Sequence, residues 1–311
     1  MNGANARGAL FMVVSMFCFV ANDAVMKTFA DEMAWYQALA VRGVFTVALS
    51  LLFCAATDGL RPPRTVAGYL RDPATVVRVA AEIGSTAFFL LALFEMALAN
   101  VTAITQVLPL LLTLGGALFF RERVGIRRWA ASLVGFAGVM LIVQPGTEAF
   151  DWAAFYALAS AVCMAARDLA TKAVPACIPS SYLNLLTAAA VWIAAIGLTV
   201  PVGWPSLDPW TLLRLALSAG FITCGFITVI LAMRVGEASF VAPFRYSILI
   251  WALLVGYLLF GEVPGPWKLV GAAVVVGAGL YTFARERRSA SSSETASASA
   301  PVSSASHSRK R

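Results

Sequence analysis

Along this chain, apolar stretches of roughly 18 to 23 residues alternate ten times with short polar breaks. They cover about 8–29, 36–56, 74–95, 98–119, 126–143, 151–172, 181–200, 210–232, 237–260 and 266–284. About 20 residues suffice to carry a helix across the hydrocarbon core, so the pattern predicts an all-α integral membrane protein of ten transmembrane helices. The breaks hold helix-ending residues: Pro62-Pro63, Gln144-Pro145-Gly146, Pro201 with Pro205, and Pro264-Gly265-Pro266. The stretch from Leu10 to Phe29 is too long for a signal-peptide core and carries Asp23 and Lys27. It lacks a small-residue cleavage site and is expected to be retained as the first helix.

The pattern also repeats itself. Ala21-Asn22-Asp23-Ala24-Val25-Met26-Lys27 returns as Ala166-Arg167-Asp168-Leu169-Ala170-Thr171-Lys172, an offset of 145, at which Ala9, Ser15 and Cys18 also meet Ala154, Ser160 and Cys163. At an offset of 140, Val101, Leu114, Gly116, Leu118, Phe120, Glu122 and Val134 meet Val241, Leu254, Gly256, Leu258, Phe260, Glu262 and Val274. The order of the matches predicts two five-helix repeats, 1–145 and 146–288. An odd number of crossings makes the second copy enter from the other side, so the repeats are expected to be inverted, as in secondary transporters.

Composition agrees with the pattern: 60% of residues are hydrophobic and 13% charged. The net charge of +7 resides mostly in short loops, which argues for membrane topology and against nucleic-acid binding. Arg61, Arg64, Arg71 and Arg78 follow the second span, Arg121, Arg123, Arg127 and Arg128 the fourth, and Arg285, Arg287 and Arg288 the last. Asp31, Glu32, Glu148, Asp151 and Asp208 fall on the opposite side, so both termini are expected in the cytoplasm of a bacterial cell with the body in its inner membrane. Residues 289–311 are Ser/Ala-rich and are expected to be a disordered cytoplasmic tail. The five cysteines show no CxxC spacing, so no metal site is expected, and no cofactor.

Ionisable groups inside a bilayer cost about 2.5 to 3.5 kcal/mol each, so each retained one needs a reason. Asp23 with Lys27, and Asp168 with Lys172, lie one helical turn apart and are expected to neutralise each other, either as interfacial anchors or as gates. Arg167 replaces Asn22 in the second copy and offers a partner for Asp168 or an anion. Glu82, near the middle of the third span, needs a proton or a basic partner, for which Arg42 and Arg245 are candidates. Pro109 and Pro243 break the fourth and ninth spans at related places, with Thr102, Thr105 and Gln106 near one break and Arg245, Tyr246 and Ser247 near the other. A midplane substrate site needs polar groups of this kind, although polar glue between helices has the same composition. Aromatics such as Trp251 and Tyr246 offer stacking to a planar substrate. Gly135, Gly138 and Gly271 permit close helix approach.

The only histidine, His307, lies in the tail, which leaves no His-based triad or metal cluster for an enzyme. No GxxxxGK[ST] phosphate loop is present, so the energy source is expected to be a substrate, proton or ion gradient.

At Phe119-Phe120-Arg121-Glu122-Arg123 and Leu259-Phe260-Gly261-Glu262-Val263, each followed by a glycine-rich helix, the chain resembles the EamA type of the drug/metabolite transporter superfamily over roughly 8–286. The resemblance implies a ten-helix basket with substrate at its centre. Leu98-Ala99-Asn100-Val101-Thr102-Ala103-Ile104, Ala166-Arg167-Asp168-Leu169, Ala242-Pro243-Phe244-Arg245-Tyr246 and Trp251-Ala252-Leu253-Leu254 are similar to the bacterial riboflavin uptake branch. That implies riboflavin as substrate, with S-adenosylmethionine uptake or amino-acid export as alternatives on the same fold, and a non-translocating receptor as an alternative class. The expected substrate-binding residues are Thr105, Gln106, Arg245, Tyr246 and Trp251. The expected coupling or gating residues are Asp23, Lys27, Arg42, Glu82, Asp168 and Lys172.

Overall fold

A computed structural model describes residues 3–59, 62–119, 126–143, 152–175, 177–235, 241–278 and 280–281. The tail 289–311, Phe120 to Arg123, Gln144-Pro145-Gly146, Glu148, Asp151, Arg61, Arg285, Arg287 and Arg288 lie outside the described residues.

Helices α1 (Gly3–Lys27) and α2 (Trp35–Thr57) form the first two spans, a short α3 (Pro63–Gly68) occupies the next loop, and α4 (Pro73–Glu95) is the third span. The fourth is divided into α5 (Leu98–Thr105) and α6 (Leu108–Phe119), and α7 (Ile126–Val143) is the fifth. The second repeat contains α8 (Trp152–Ala173), α9 (Ser180–Thr199) and α10 (Pro209–Val235). A 3-10 helix, Ala242–Tyr246, then leads into α11 (Ser247–Phe260), and α12 (Pro266–Ala278) is the last described span. Seven helices are long and apolar enough to cross a membrane, and three shorter apolar ones bring the described spans to ten.

The contacts fix the relative direction of two helix pairs. Ser15 and Asn22 of α1 and Thr28 just beyond it meet Gly225, Ser218 and Arg214 of α10 in turn, so the two helices run antiparallel. Ser160 and Thr171 of α8 likewise meet Ser85 and Arg78 of α4. Lys27 closes α1 on the face where α4 and α11 end, whereas α8, the copy of α1, runs away from that face. The repeats are inverted. The first helix of each packs along the third helix of the other, α1 on α10 and α8 on α4, while α2 packs on α9.

Both third helices begin the same way. Asp72 caps α4 by accepting from the Thr75 N–H at 2.7 Å, and Asp208 caps α10 by accepting from the Thr211 N–H at 3.3 Å, each with proline in the first helical position. Elsewhere small residues set the spacing. A Cβ on Gly138 of α7 would lie 2.9 Å from the Gly271 carbonyl of α12, and one on Gly271 would lie 2.6 Å from the Gly138 carbonyl, so the two backbones touch where neither residue has a side chain. Three apolar clusters fill the interior, and Ile248 of α11 packs against all of them.

Candidate functional site

Two polar centres sit where the repeats interlock. In the first, Asn22 Oδ1 accepts from Ser218 Oγ at 2.7 Å and from Arg42 Nη1 at 2.9 Å, while Asn22 Nδ2 donates to Asp23 Oδ1 at 2.9 Å. In the second, Arg167 Nη1 donates to Glu82 Oε2 at 3.0 Å and Arg167 Nε donates to Asp168 Oδ1 at 2.8 Å. Asn22 and Arg167 are equivalent at the offset of 145. Ser218 and Glu82 are equivalent at an offset of 136, set by Asp72-Pro73-Ala74-Thr75…Arg78 and Asp208-Pro209-Trp210-Thr211…Arg214. The two contacts are therefore the same contact, neutral in one half and ionic in the other. The Asp-Pro-x-Thr-x-x-Arg echo was the sequence signal for Ser218, Arg78 and Arg214, which helix-by-helix reading of charges overlooks.

Two expected pairings are corrected. Glu82 pairs with Arg167 rather than Arg42 or Arg245, because α8 packs along α4 while Arg42 on α2 turns to Asn22. Asp23 does not pair with Lys27. Lys27 ends its helix and reaches across to Glu262 Oε1 at 2.5 Å and the Met96 carbonyl at 2.6 Å, two acceptors on other spans. Glu262 also accepts from the Leu98 N–H at 2.9 Å, so one carboxylate joins the ends of the first, fourth and ninth spans. Gly261, with φ of 64°, turns the chain back, and the Glu262 N–H bonds to the Gly256 carbonyl. Glu262 was legible in the sequence as part of a repeated block but carried no sign of its partner. Lys172 is exposed at the end of α8.

Arg78 and Arg214, a turn outward from the two centres, bind opposite ends. Arg78 donates to Thr171 at 3.0 Å and to Thr187. Arg214 donates to both oxygens of Glu32, at 2.8 and 2.5 Å, and lies 4.2 Å from the centre of the Phe29 ring. Glu32 lies in the loop after α1, and the hydrogen bond from Arg214 holds its carboxyl below the ordinary glutamate range.

The two broken spans break at equivalent residues. The N–H groups of Gln106 and Val107 bond three residues back, which tightens the chain between α5 and α6. Tyr246, equivalent to Gln106 at the offset of 140, is where the 3-10 helix becomes α11. Pro109 and Pro243 follow and precede these turns and supply no N–H to an uninterrupted helix. Thr102 and Thr105 donate their hydroxyls to the carbonyls of Leu98 and Thr102, so both are committed to their own helix. Gln106, Tyr246 and Trp251 are half-buried and Arg245 is exposed. Trp251 meets the Phe17 ring edge-on at 5.1 Å. A cleft of about 460 Å³ opens on the Lys27 face, lined by Asp31, Glu32, Trp35, Phe94 and Glu95 among others.

The sequence pattern of the EamA-like transporter family matches residues 6–144 and again 151–284. The chain belongs to the EamA-like transporter family. Among curated relatives, a riboflavin transporter of Rhizobium johnstonii is 36% identical over 60% of this chain and 62% of its own length. A riboflavin transporter of Vibrio cholerae is 31% identical over 56% of this chain and 58% of its own. The chain thus spans about three-fifths of the length of these two relatives. An S-adenosylmethionine uptake transporter of Rickettsia felis is 25% identical over 91% of this chain and 95% of its own. One solved crystal structure shares the fold with a TM-score of 0.60 at 20% identity, over 91% of this chain and 98% of that one. Within this EamA-like fold, no three His, Cys, Asp or Glu side chains among the described residues come together as a metal would require.

Proposed function

We propose that this chain is a secondary transporter of the bacterial inner membrane that takes up riboflavin, without an enzymatic step and with both termini cytoplasmic. The observation that carries transport is the inverted contact pair, Asn22 with Ser218 and Arg167 with Glu82, which gives two related halves the same hinge in opposite orientation. Riboflavin is supported by the two relatives of that name at 36% and 31% identity. The repeats divide near residue 145. Thr105, Gln106, Arg245, Tyr246 and Trp251 form the substrate path at the two helix breaks, where Tyr246 or a neighbouring ring stacks on the substrate. Asp23 with Arg42, Glu82 and Asp168 near Lys172, and Lys27 serve coupling and gating, driven by a proton or ion gradient.

Uptake of labelled riboflavin into vesicles carrying the protein, with and without a proton uncoupler, tests this reading. Uptake above the empty-vesicle level and lowered by the uncoupler is expected; uptake at the empty level with inserted protein overturns it. Arg245→Ala is expected to abolish uptake while the protein still inserts, and normal uptake by that variant removes Arg245 from the path.

A second reading, uptake of S-adenosylmethionine, is supported by the near full-length match to the Rickettsia felis relative and by the cleft with Asp31 and Glu95, whose carboxylates suit a cationic substrate. Competition between the two labelled compounds decides between them.

A further inference from the structure

Buried donors in proteins nearly always have an acceptor, so one that has none calls for a physical reason, of which an arriving ligand is one. Helical hydroxyls in this chain follow that rule by donating to a carbonyl one turn back: Thr46 to Arg42, Thr102 to Leu98, Thr187 to Leu183, Thr199 to Ala195 and Thr223 to Ala219. Ser247 is an exception, its buried Oγ having no partner among the described residues. In the tight 3-10 winding before it, the Phe244 and Arg245 carbonyls accept from the Ser247 N–H. One turn further along α11, the buried Trp251 Nε1 is also without a partner, although Trp192 in a comparable helix donates its Nε1 to the Ala40 carbonyl at 2.9 Å.

Residues four apart share one helix face, with about 5–6 Å between Cβ atoms. Ser247 and Trp251, each with an unpaired donor, therefore lie on one face of α11, immediately after the break equivalent to the one at Gln106. Phe17 stands edge-on to Trp251, and Met12 and Met16 belong to the apolar cluster on which Trp251 and Ile248 pack. An apolar, polarizable wall with two donors on one edge is suited to a flat heteroaromatic ring that carries acceptors along one side.

We infer that Ser247 Oγ and Trp251 Nε1 form a two-donor edge that hydrogen-bonds the ring carbonyls or ring nitrogens of the transported molecule. The inference rests on the proposed uptake of a metabolite containing such a ring. Ser247 is thereby a binding residue, and Trp251 contributes its N–H as well as its ring face.

The test uses Ser247→Ala and Trp251→Phe in the full chain, with initial uptake rates in vesicles, thermal unfolding of the purified protein, and lumiflavin as a competitor that has the isoalloxazine ring but no ribityl chain. Each variant is expected to raise the KM for riboflavin about five- to tenfold, the loss of one hydrogen bond, with Vmax and Tm retained. The inhibition constant of lumiflavin should rise by the same factor. An unchanged KM in Ser247→Ala, where wild type takes up riboflavin, overturns the inference and leaves the transport reading standing; this variant decides alone if Trp251→Phe fails to insert. A raised KM with an unchanged lumiflavin constant places the donors on the ribityl chain and overturns the assignment to the ring. Wild-type uptake of S-adenosylmethionine but not riboflavin, with KM for it raised in the variants, removes riboflavin and retains the donor edge; uptake of neither compound overturns both.

Discussion

Arg167 of α8 donates to Glu82 of α4 across 3.0 Å, at the position where the inverted copy places Asn22 against Ser218. The fold accepts a charged and a neutral solution at equivalent points of its two seams. Around the Asn22–Ser218 contact the charges are carried by Arg42 and Asp23 instead, so the two seams place charge on different residues.

Removing one member of the ionic pair should cost more than replacing both. Glu82→Gln or Arg167→Asn alone is expected to lower stability by about 1–3 kcal/mol, since each leaves a poorly paired group at the seam. The double variant Arg167→Asn with Glu82→Ser places the Asn–Ser contact at this seam and should recover part of that loss while transport remains impaired, since Asp168 still loses its Arg167 partner. Thermal unfolding of the four proteins as a double-mutant cycle measures this, and additive losses would refute the equivalence of the two seams.

On the Lys27 face, Glu262 holds Lys27 and the Leu98 N–H together. Glu262→Ala is expected to free both and to raise thiol labelling of an Ala97→Cys variant several-fold on that face. Equal labelling with and without Glu262 would show that its contacts do not restrict access at Ala97. Gly256 is linked to the same contact, because a Cβ there would lie 2.9 Å from Glu262 Oε2; Gly256→Ala should displace Glu262 and raise labelling in the same direction.

Gly138→Ala should destabilise by about 1–3 kcal/mol, because the added Cβ meets the Gly271 backbone, which has nowhere to retreat. Gly277→Ala is the control: a Cβ there meets nothing within 4 Å and is expected to be neutral or slightly stabilising. Thermal midpoints of the two variants in detergent decide the point, and equal midpoints would count against the close α7–α12 contact.

The Arg214–Glu32 contact has an acid limit. Because the folded carboxyl titrates below its ordinary value, the contact stabilises the fold fully above the unfolded glutamate range, about 4.3, and its contribution disappears as pH falls through the lower folded value. Glu32 is 43% exposed on its side chain, so solvent screening keeps the effect small. Glu32→Gln should flatten the stability profile below about pH 4.3, and a wild-type profile that is already flat there would dismiss the contact as a stabilising one.

Ten spans, two repeats and their inversion were legible in the chain because a bilayer imposes a local rule: every crossing needs about 20 apolar residues, and each break shows as proline, glycine or charge. The internal echoes added the symmetry, and the prolines near Gln106 and Tyr246 marked the two broken helices. What the sequence could not decide was which charges meet. Spacing along one helix suggested Asp23 with Lys27, yet a lysine at a helix end has the length to choose acceptors on neighbouring elements, and the end of α11 and the turn between α4 and α5 supplied Glu262 and the Met96 carbonyl instead. Glu82 found Arg167 for the same reason, since α8 rather than α2 runs along α4. Helix identity is written in local hydrophobicity, whereas pairing between helices depends on crossing, depth and rotation, which only the assembled bundle determines.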